Sequence, residues 1–297
     1  MNRDFLLIPN IRIHNANALS SPYTIGFPAM TAWMGAVHAL QRHLCDQDFD
    51  DIVFNGVGVV CHDYDLQTYK GEQDYVHSIV GTGNPLDKSG NRPSFIEEAR
   101  IHLTVSLLIE IEDLGFIDFD ELTDVVNDCL QGRVKLAGGD VLMPDKSSRI
   151  EIINIESNEE ERRLLRRLMP GHCLLERRDL MEAAMQDGQD GIDALLDYLK
   201  VTHQSELDEN GKTIWKSSRK SKGWIVPIAT GFQGISDLGL AEQQRDPATP
   251  HRFAESLVTL GEFVMPYRLN DIDQILWHYH VDAENNLYTC RQQKPTH

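Results

Sequence analysis

The chain has 297 residues, enough for one large domain or two smaller ones, and its 41% hydrophobic and 25% charged content is that of an ordinary soluble globular protein. No apolar run approaches the ~18 residues that cross a bilayer, and the opening "MNRDFLLIPNIR" is too short in its apolar part for a signal peptide. The net charge of −18, taken alone, argues against nucleic-acid binding, and five dispersed cysteines (Cys45, Cys61, Cys129, Cys173, Cys290) without a C-x-x-C pair argue against a disulfide framework or zinc site and fit a reducing cytoplasm.

The charge is uneven. Acids concentrate in 46–51, 110–128 and 182–209, while Gly211–Ser236 carries five Lys/Arg and no acid, so a basic groove on an acidic body remains open.

In chain order, Phe5 to Asn15 reads as a strand, with Ile11 and Ile13 alternating against Arg12 and His14. A helix is expected over Pro28–Leu44, striped by Met30, Trp33, Met34, Val37, Leu40 and Leu44. A second strand follows over Asp51–Tyr69, then a Gly/Asn/Pro-rich loop over Gly81–Pro93. Ala99–Ile111 alternates strictly, with Arg100, His102, Thr104 and Ser106 on one face. Asp118–Gly132 is an amphipathic helix with acids in its first turn, and Arg133–Met143 a strand broken by Gly138-Gly139. The order β-α-β-β-α-β predicts an α+β fold with a ferredoxin-like, RNA-recognition-motif core: an antiparallel sheet with two helices on one face and the other face free.

The second half reads as irregular and partly helical. Helices are expected near Asn158–Leu168 (capped by Asn158), Arg178–Met185 and Gly191–Thr202, a polar linker over 203–222, a strand at Trp224–Ala229, a helix over Pro250–Val264, and a hairpin over Trp277–Arg291 turning at "AENN". These divide the chain into 1–145, the core; 146–222, a helical insertion and polar linker; and 223–297, a strand, helix and hairpin packing back on the core.

The loop between first strand and first helix, "NANALSSPYTIGFP", is long for an α/β connection, and long connections tend to be functional. Asn15, Asn17, Ser20, Ser21, Tyr23 and Thr24 offer uncharged donors, Gly26 a flexible joint, and the loop feeds a helix N-terminus that favours an anion. The alternative is a loop that satisfies its own backbone through Asx and Ser turns. Gly138 and Gly139 permit a close backbone approach or a simple bulge. His251 and Arg252 fall in the first turn of the expected helix, where cations are unfavourable unless an anion or acidic partner is near. In "NEEERRLLRRLMPG", three Glu open the helix and four Arg close it, which the helix dipole explains.

His278 and His280 share a strand face, but no third ligand stands at a readable spacing, so neither metal nor cofactor is expected. A metal-free ribonuclease using His14 or His38 as base is one alternative, and a protein–protein adaptor another. No G-x-S-x-G, P-loop, H-E-x-x-H or dinucleotide motif points to an enzyme.

The stretch "PNIRIHNANALSSPYTIGFPAMTAWMGAVHALQR" resembles the N-terminus of the second Csy proteins, the f-type Cas-five family of type I-F CRISPR surveillance (Csy/Cascade) complexes within the RAMP superfamily. The likeness continues through "GVGVVCH", "GNPL", "EEARIHLTVSLL", "VKLAGGDVL", "RRLMPG", "GWIVPIATGF", "RFAESLVTLGEF" and "ILWHYH". It implies a non-catalytic, cytoplasmic subunit of an antiviral defence complex that holds the 5′ handle of the guide RNA. Its partners would be the large subunit, which reads the protospacer-adjacent motif, the adjacent backbone subunit, and target double-stranded DNA near that motif. The matching handle positions are Asn15, Asn17, Ser20, Ser21, Gly26, Gly138, Gly139 and Arg252. The aromatic signature of single-strand readers is missing from the strands, so loops and backbone amides would carry more of the contact. An acidic body would complement basic partners, so the isolated chain should bind RNA weakly and gain affinity with the large subunit.

Overall fold

A computed structural model describes residues 2–112, 117–142, 149–244 and 246–293. The first half runs β1 (Arg3–Asn17), α1 (Met30–Cys45), β2 (Phe54–Leu66), β3 (Arg100–Ile111), α2 (Phe119–Gly132), β4 (Asp140–Leu142) and β5 (Glu151–Ile155). The second half runs α3 (Asn158–Arg167), β6 (His172–Glu176), α4 (Arg178–Gln186), α5 (Gly191–Leu199), β7 (Thr202–Leu207), β8 (Thr213–Ser218), β9 (Trp224–Gly234), β10 (Ala254–Val264), β11 (His278–Asp282) and β12 (Leu287–Arg291). Ten strands form one antiparallel sheet in the order β4-β1-β3-β2-β6-β10-β9-β12-β11, with β5 beside β4 on the same edge of β1. Five α-helices among the described residues complete a mixed α/β architecture.

β1 shows how local chemistry keeps one face buried along fifteen residues. Its core positions are Leu6 and Ile8, then Ile11 and Ile13, then Ala16, followed by Ala18 just past its end, so the parity shifts twice. Each shift is a bulge against β3, between Ile8 and Ile11 and between Ile13 and Ala16. Asn10 (φ +50°) and Asn15 (φ +56°) take the extra residue at each, in the left-handed region that Asn tolerates better than most side chains. Without the bulges the later half of the strand would turn its apolar side chains to solvent.

The core face of β1, β2 and β3 is covered by α1 and α2. Met30, Trp33, Met34, Val37, Leu40 and Leu44 meet Leu122, Val126 and Leu130 over Val57, Val59, Leu103, Leu107 and Ile109. Asp118 caps α2, accepting from the Asp120 and Glu121 amides at 3.0 and 3.3 Å. Leu174, Ile228, Trp277 and Cys290, all from the second half, join the same core. Val57 and Trp277 exchange backbone hydrogen bonds of 3.0 and 2.9 Å, so the succession β2-β6-β10-β9-β12-β11 returns to β2 as a closed ring.

Several expectations need correction. The opposite sheet face is free only in part: Leu164, Leu165 and Leu168 from α3, with Ile272 and Ile275 from a 3-10 turn, cover Phe5, Leu7, Val60 and Leu108. Ser157, not Asn158, caps α3, in a reciprocal capping box with Glu160. The polar linker of 203–222 holds the β7–β8 hairpin, registered from Thr202–Ser218 to Leu207–Thr213. The expected helix over Pro250–Val264 is strand β10. Its apolar spacing fits a helix and a strand alike, and pairing with β6 on one side and β9 on the other decides the matter, with Gly261 and the β-branched Val258, Thr259 and Val264 favouring extension. Within the expected strand Arg133–Met143 only Asp140–Leu142 pairs as strand; Met143, the boundary at 145 and residues 294–297 lie outside the described residues. Among the described residues no helix is long and apolar enough to cross a membrane.

Candidate nucleic-acid interface

The end of β1 is where the expected site residues converge. The second bulge turns the Asn15 amide outward, and it donates to His102 Nδ1 at 3.1 Å, which leaves the ring proton on Nε2. His102 stacks on His14, with centroids 4.1 Å apart and planes 18° from parallel. Arg12 is exposed beside them on β1, and Arg100 and Thr104 flank His102 on β3, half-buried. This is the part of the sheet face that α3 leaves uncovered.

The turn at Gly138-Gly139 lies against the same bulge. Leu136 and Gly139 exchange backbone hydrogen bonds of 3.2 and 2.9 Å around Ala137 (φ +49°) and Gly138 (φ +77°), the two positive values a tight type I′ turn requires. The Asn17 amide donates to the Ala137 carbonyl at 2.9 Å. A Cβ on Gly139 would stand 2.6 Å from Ile13 Cγ2 and 2.8 Å from both the Ala16 nitrogen and the His14 oxygen, so only glycine lets the turn approach. Lys135 donates to Asp140 at 2.8 Å across this turn and holds that carboxyl below the usual carboxylate range.

The loop itself is ordered by its own side chains. Leu19–Ser21 pairs with Thr24–Ile25 as a short ribbon. The Ser21 and Thr24 hydroxyls are 2.6 Å apart and almost fully buried, at 4% and 6% exposure, and Ser20 reaches the Thr24 hydroxyl at 3.0 Å. Asn17 bonds twice to Leu19, through its carbonyl and its amide, each at 3.1 Å. Gly26 closes the ribbon by donating to the Ala18 carbonyl at 2.9 Å. Ser21, Thr24 and the Asn17 side chain therefore shape the loop, while Tyr23, Asn15 and Ser20 retain access to solvent. Tyr23 donates to the Ser256 carbonyl of β10 at 3.1 Å and ties the ribbon to the second half.

His251 and Arg252 stand apart. With β10 a strand, no helix start surrounds them. His251 bridges Gly239 by backbone hydrogen bonds of 2.9 and 2.6 Å, and the Arg252 guanidinium donates to Asn286 in the β11–β12 turn. Their earlier rationale, cations misplaced at a helix N-terminus, does not apply.

The residues proposed for nuclease chemistry are also separated. His14 lies on the open face of the sheet, whereas His38 sits on α1, which packs on the opposite face. A serine–histidine pair does exist, with Ser106 Oγ 2.7 Å from His62 Nε2. His62 Nδ1 donates to the Pro170 carbonyl, however, so Nε2 accepts from Ser106, whose oxygen in turn accepts from the Asn10 amide at 3.0 Å. Ser106 is 3% exposed, and the chain of bonds anchors the first bulge. His278 is buried, bonded through Nδ1 to the Asn55 carbonyl at 3.0 Å and packed on Gly56. Among the described residues no group of three or more His, Cys, Asp or Glu is arranged to hold a metal ion.

Sequence reasoning named His14 only as a base and gave His102, Arg12 and Arg100 no contact role. Their strict alternation on the polar face of two neighbouring strands was the signal available.

The chain is thus a mixed α/β protein whose large antiparallel sheet carries a polar, imidazole-bearing patch beside a loop and a glycine turn. Comparison with known proteins is specific: the sequence profile of the CRISPR-associated Cas_Csy2 family matches residues 6–290. The chain is 35% identical to the CRISPR-associated protein Csy2 of Pseudomonas aeruginosa (strain UCBPP-PA14) over 311 aligned positions, covering 95% of this chain and 93% of that protein. The chain belongs to the Cas_Csy2 family of CRISPR-associated proteins.

Proposed function

We propose that this chain is a non-catalytic subunit of a type I-F CRISPR RNA-guided surveillance complex that holds the 5′ handle of the guide RNA. The observation that carries the reading is the convergence of the Asn15 bulge, the Gly138-Gly139 turn and the His14–His102 stack on one open end of the sheet, flanked by Arg12 and Arg100. Imidazole and guanidinium planes stack on unpaired bases, and backbone amides and arginines bind phosphates. The strand order β4-β1-β3-β2 with α1 and α2 on one face is the order a ferredoxin-like core would have, and it supports reading the chain as a member of the RAMP superfamily. Residues 1–145 would supply the RNA-binding core, and 146–222 and 223–297 the surfaces for the large subunit, the adjacent backbone subunit and target DNA near the protospacer-adjacent motif, in the cytoplasm.

The test is a fluorescence anisotropy titration of handle RNA against a scrambled RNA, using the chain copurified with its large subunit at two salt concentrations, with the RNA then run on a denaturing gel. Handle-selective binding of intact RNA is expected, tighter than for the chain alone. Cleaved RNA would instead establish a ribonuclease, and equal binding of both RNAs would leave a protein–protein adaptor.

A further inference from the structure

Beside the loop, on the core side of the sheet, lies a cavity of about 310 Å³, within the range of small-ligand sites. One wall is Ile25, the last residue of the ribbon, with Gly26 and Phe27 directly after it. Much of the rest is aromatic. Trp224 stands 6.0 Å from Tyr64, 5.4 Å edge-on from His172 and 4.9 Å from Phe263, and Phe263 meets Phe27 edge-on at 5.4 Å. The chain of rings runs from the buried Phe27 to the mouth, where Trp224 and Tyr64 are 39% and 52% exposed.

Three features narrow the occupant. Among the described residues no Lys or Arg lines the cavity and Asp63 does, so a phosphate gains nothing there. Cys61 contributes a neutral thiol, its ionisation pushed up to about 12 by burial and the Asp63 charge. Ring faces and edges tilted against one another suit a flat, uncharged aromatic group better than a branched aliphatic one.

We propose that this cavity receives one unstacked nucleobase, held against Trp224 and Tyr64, from an RNA strand that passes over the Asn15–Gly26 loop. The inference rests on the RNA-binding reading above and adds a base subsite to it, on the sheet face opposite the His14–His102 stack. A strand threading between the two would be forced to bend at the loop, with its backbone over the ribbon and one base turned inward.

The test uses the full-length chain and two probes. Saturation-transfer NMR with adenosine should show contact of the base protons with the protein, at least about tenfold weaker binding in Trp224→Ala, and retention in Trp224→Phe, because a stacking contact depends on a ring rather than on the indole. Ribose 5-phosphate should give no transfer. Adenosine binding unchanged in Trp224→Ala, no adenosine signal from the wild-type chain, or transfer from ribose 5-phosphate equal to that from adenosine would each overturn the proposal. Anisotropy of handle RNA on the same proteins separates the two claims: RNA binding that persists without an adenosine response removes the base subsite alone. An adenosine response lost in Trp224→Ala, with no handle binding even beside the large subunit, removes the RNA reading and leaves an aromatic nucleoside site.

Discussion

The two ends of one sheet face make an instructive contrast. At one end Phe5, Leu7, Val60 and Leu108 lie under α3 and a 3-10 turn, with Arg3 bridging Glu110 and Asp273 at the margin. At the other end the same strands, β1 and β3, present the exposed Arg12 and His14 and the half-buried Arg100, His102 and Thr104, outside the cover of α3. The same two strands pair at both ends, on either side of the Asn10 bulge, so the difference lies in the side chains, and it divides the labour of the face between stability and contact. Burial of each large apolar side chain at the closed end is worth roughly 1.5–3 kcal/mol, whereas exposed polar residues contribute little to folding and are free to serve binding.

Substitutions at each end should separate these roles. Leu165→Ala or Leu108→Ala should lower unfolding free energy by about 2–5 kcal/mol in urea melts, while the folded fraction binds handle RNA as before. Gly139→Val belongs to the boundary, since its side chain would strike the β1 backbone: a loss of about 1–3 kcal/mol and of RNA affinity together is expected. His14→Ala should change stability by no more than about 0.5 kcal/mol yet weaken handle binding by about 1–3 kcal/mol, read by urea melts and anisotropy on one preparation. An unchanged affinity would place the RNA elsewhere.

How much of this was legible in the sequence depended on the range of the interactions involved. The alternation in Ala99–Ile111 and the stripe of α1 follow from local period, and both elements formed where expected. The two Asn bulges did not announce themselves, because a positive φ at Asn10 or Asn15 matters only once β3 fixes the register. β10 was misread as a helix because "FAESLVTLGEF" satisfies both periods and only its two partner strands choose between them. The loop hydroxyls were read as donors for a ligand, but Ser21 and Thr24 spend theirs on each other. The aromatic cavity draws its walls from stretches around residues 25, 64, 172, 224 and 263, a grouping that no local pattern contains.

Smaller effects sharpen the same contrast. Arg12→Ala should reduce the slope of log affinity against log salt by about 0.7, the share of one phosphate contact on a single strand, whereas Arg167→Ala on α3, which pairs with Glu151, should leave the slope unchanged. Smallest is a pH effect at the turn. The Asp140 carboxyl is held low by Lys135, so its contribution to stability is complete above the unfolded value of about 3.9 and fades as pH falls through the lower folded value. Asp140→Asn should therefore lower the urea midpoint slightly at pH 7, and the difference from the wild-type chain should fade as pH falls below about 4.

The most direct test of the central claim is ultraviolet crosslinking of guide RNA within the assembled complex, with the attached peptides of this chain mapped by mass spectrometry. Adducts in 12–17, 100–104 and 136–139 are predicted. Adducts confined to α3 and the covered end, or none on this chain beside abundant adducts on its partners, would contradict the account.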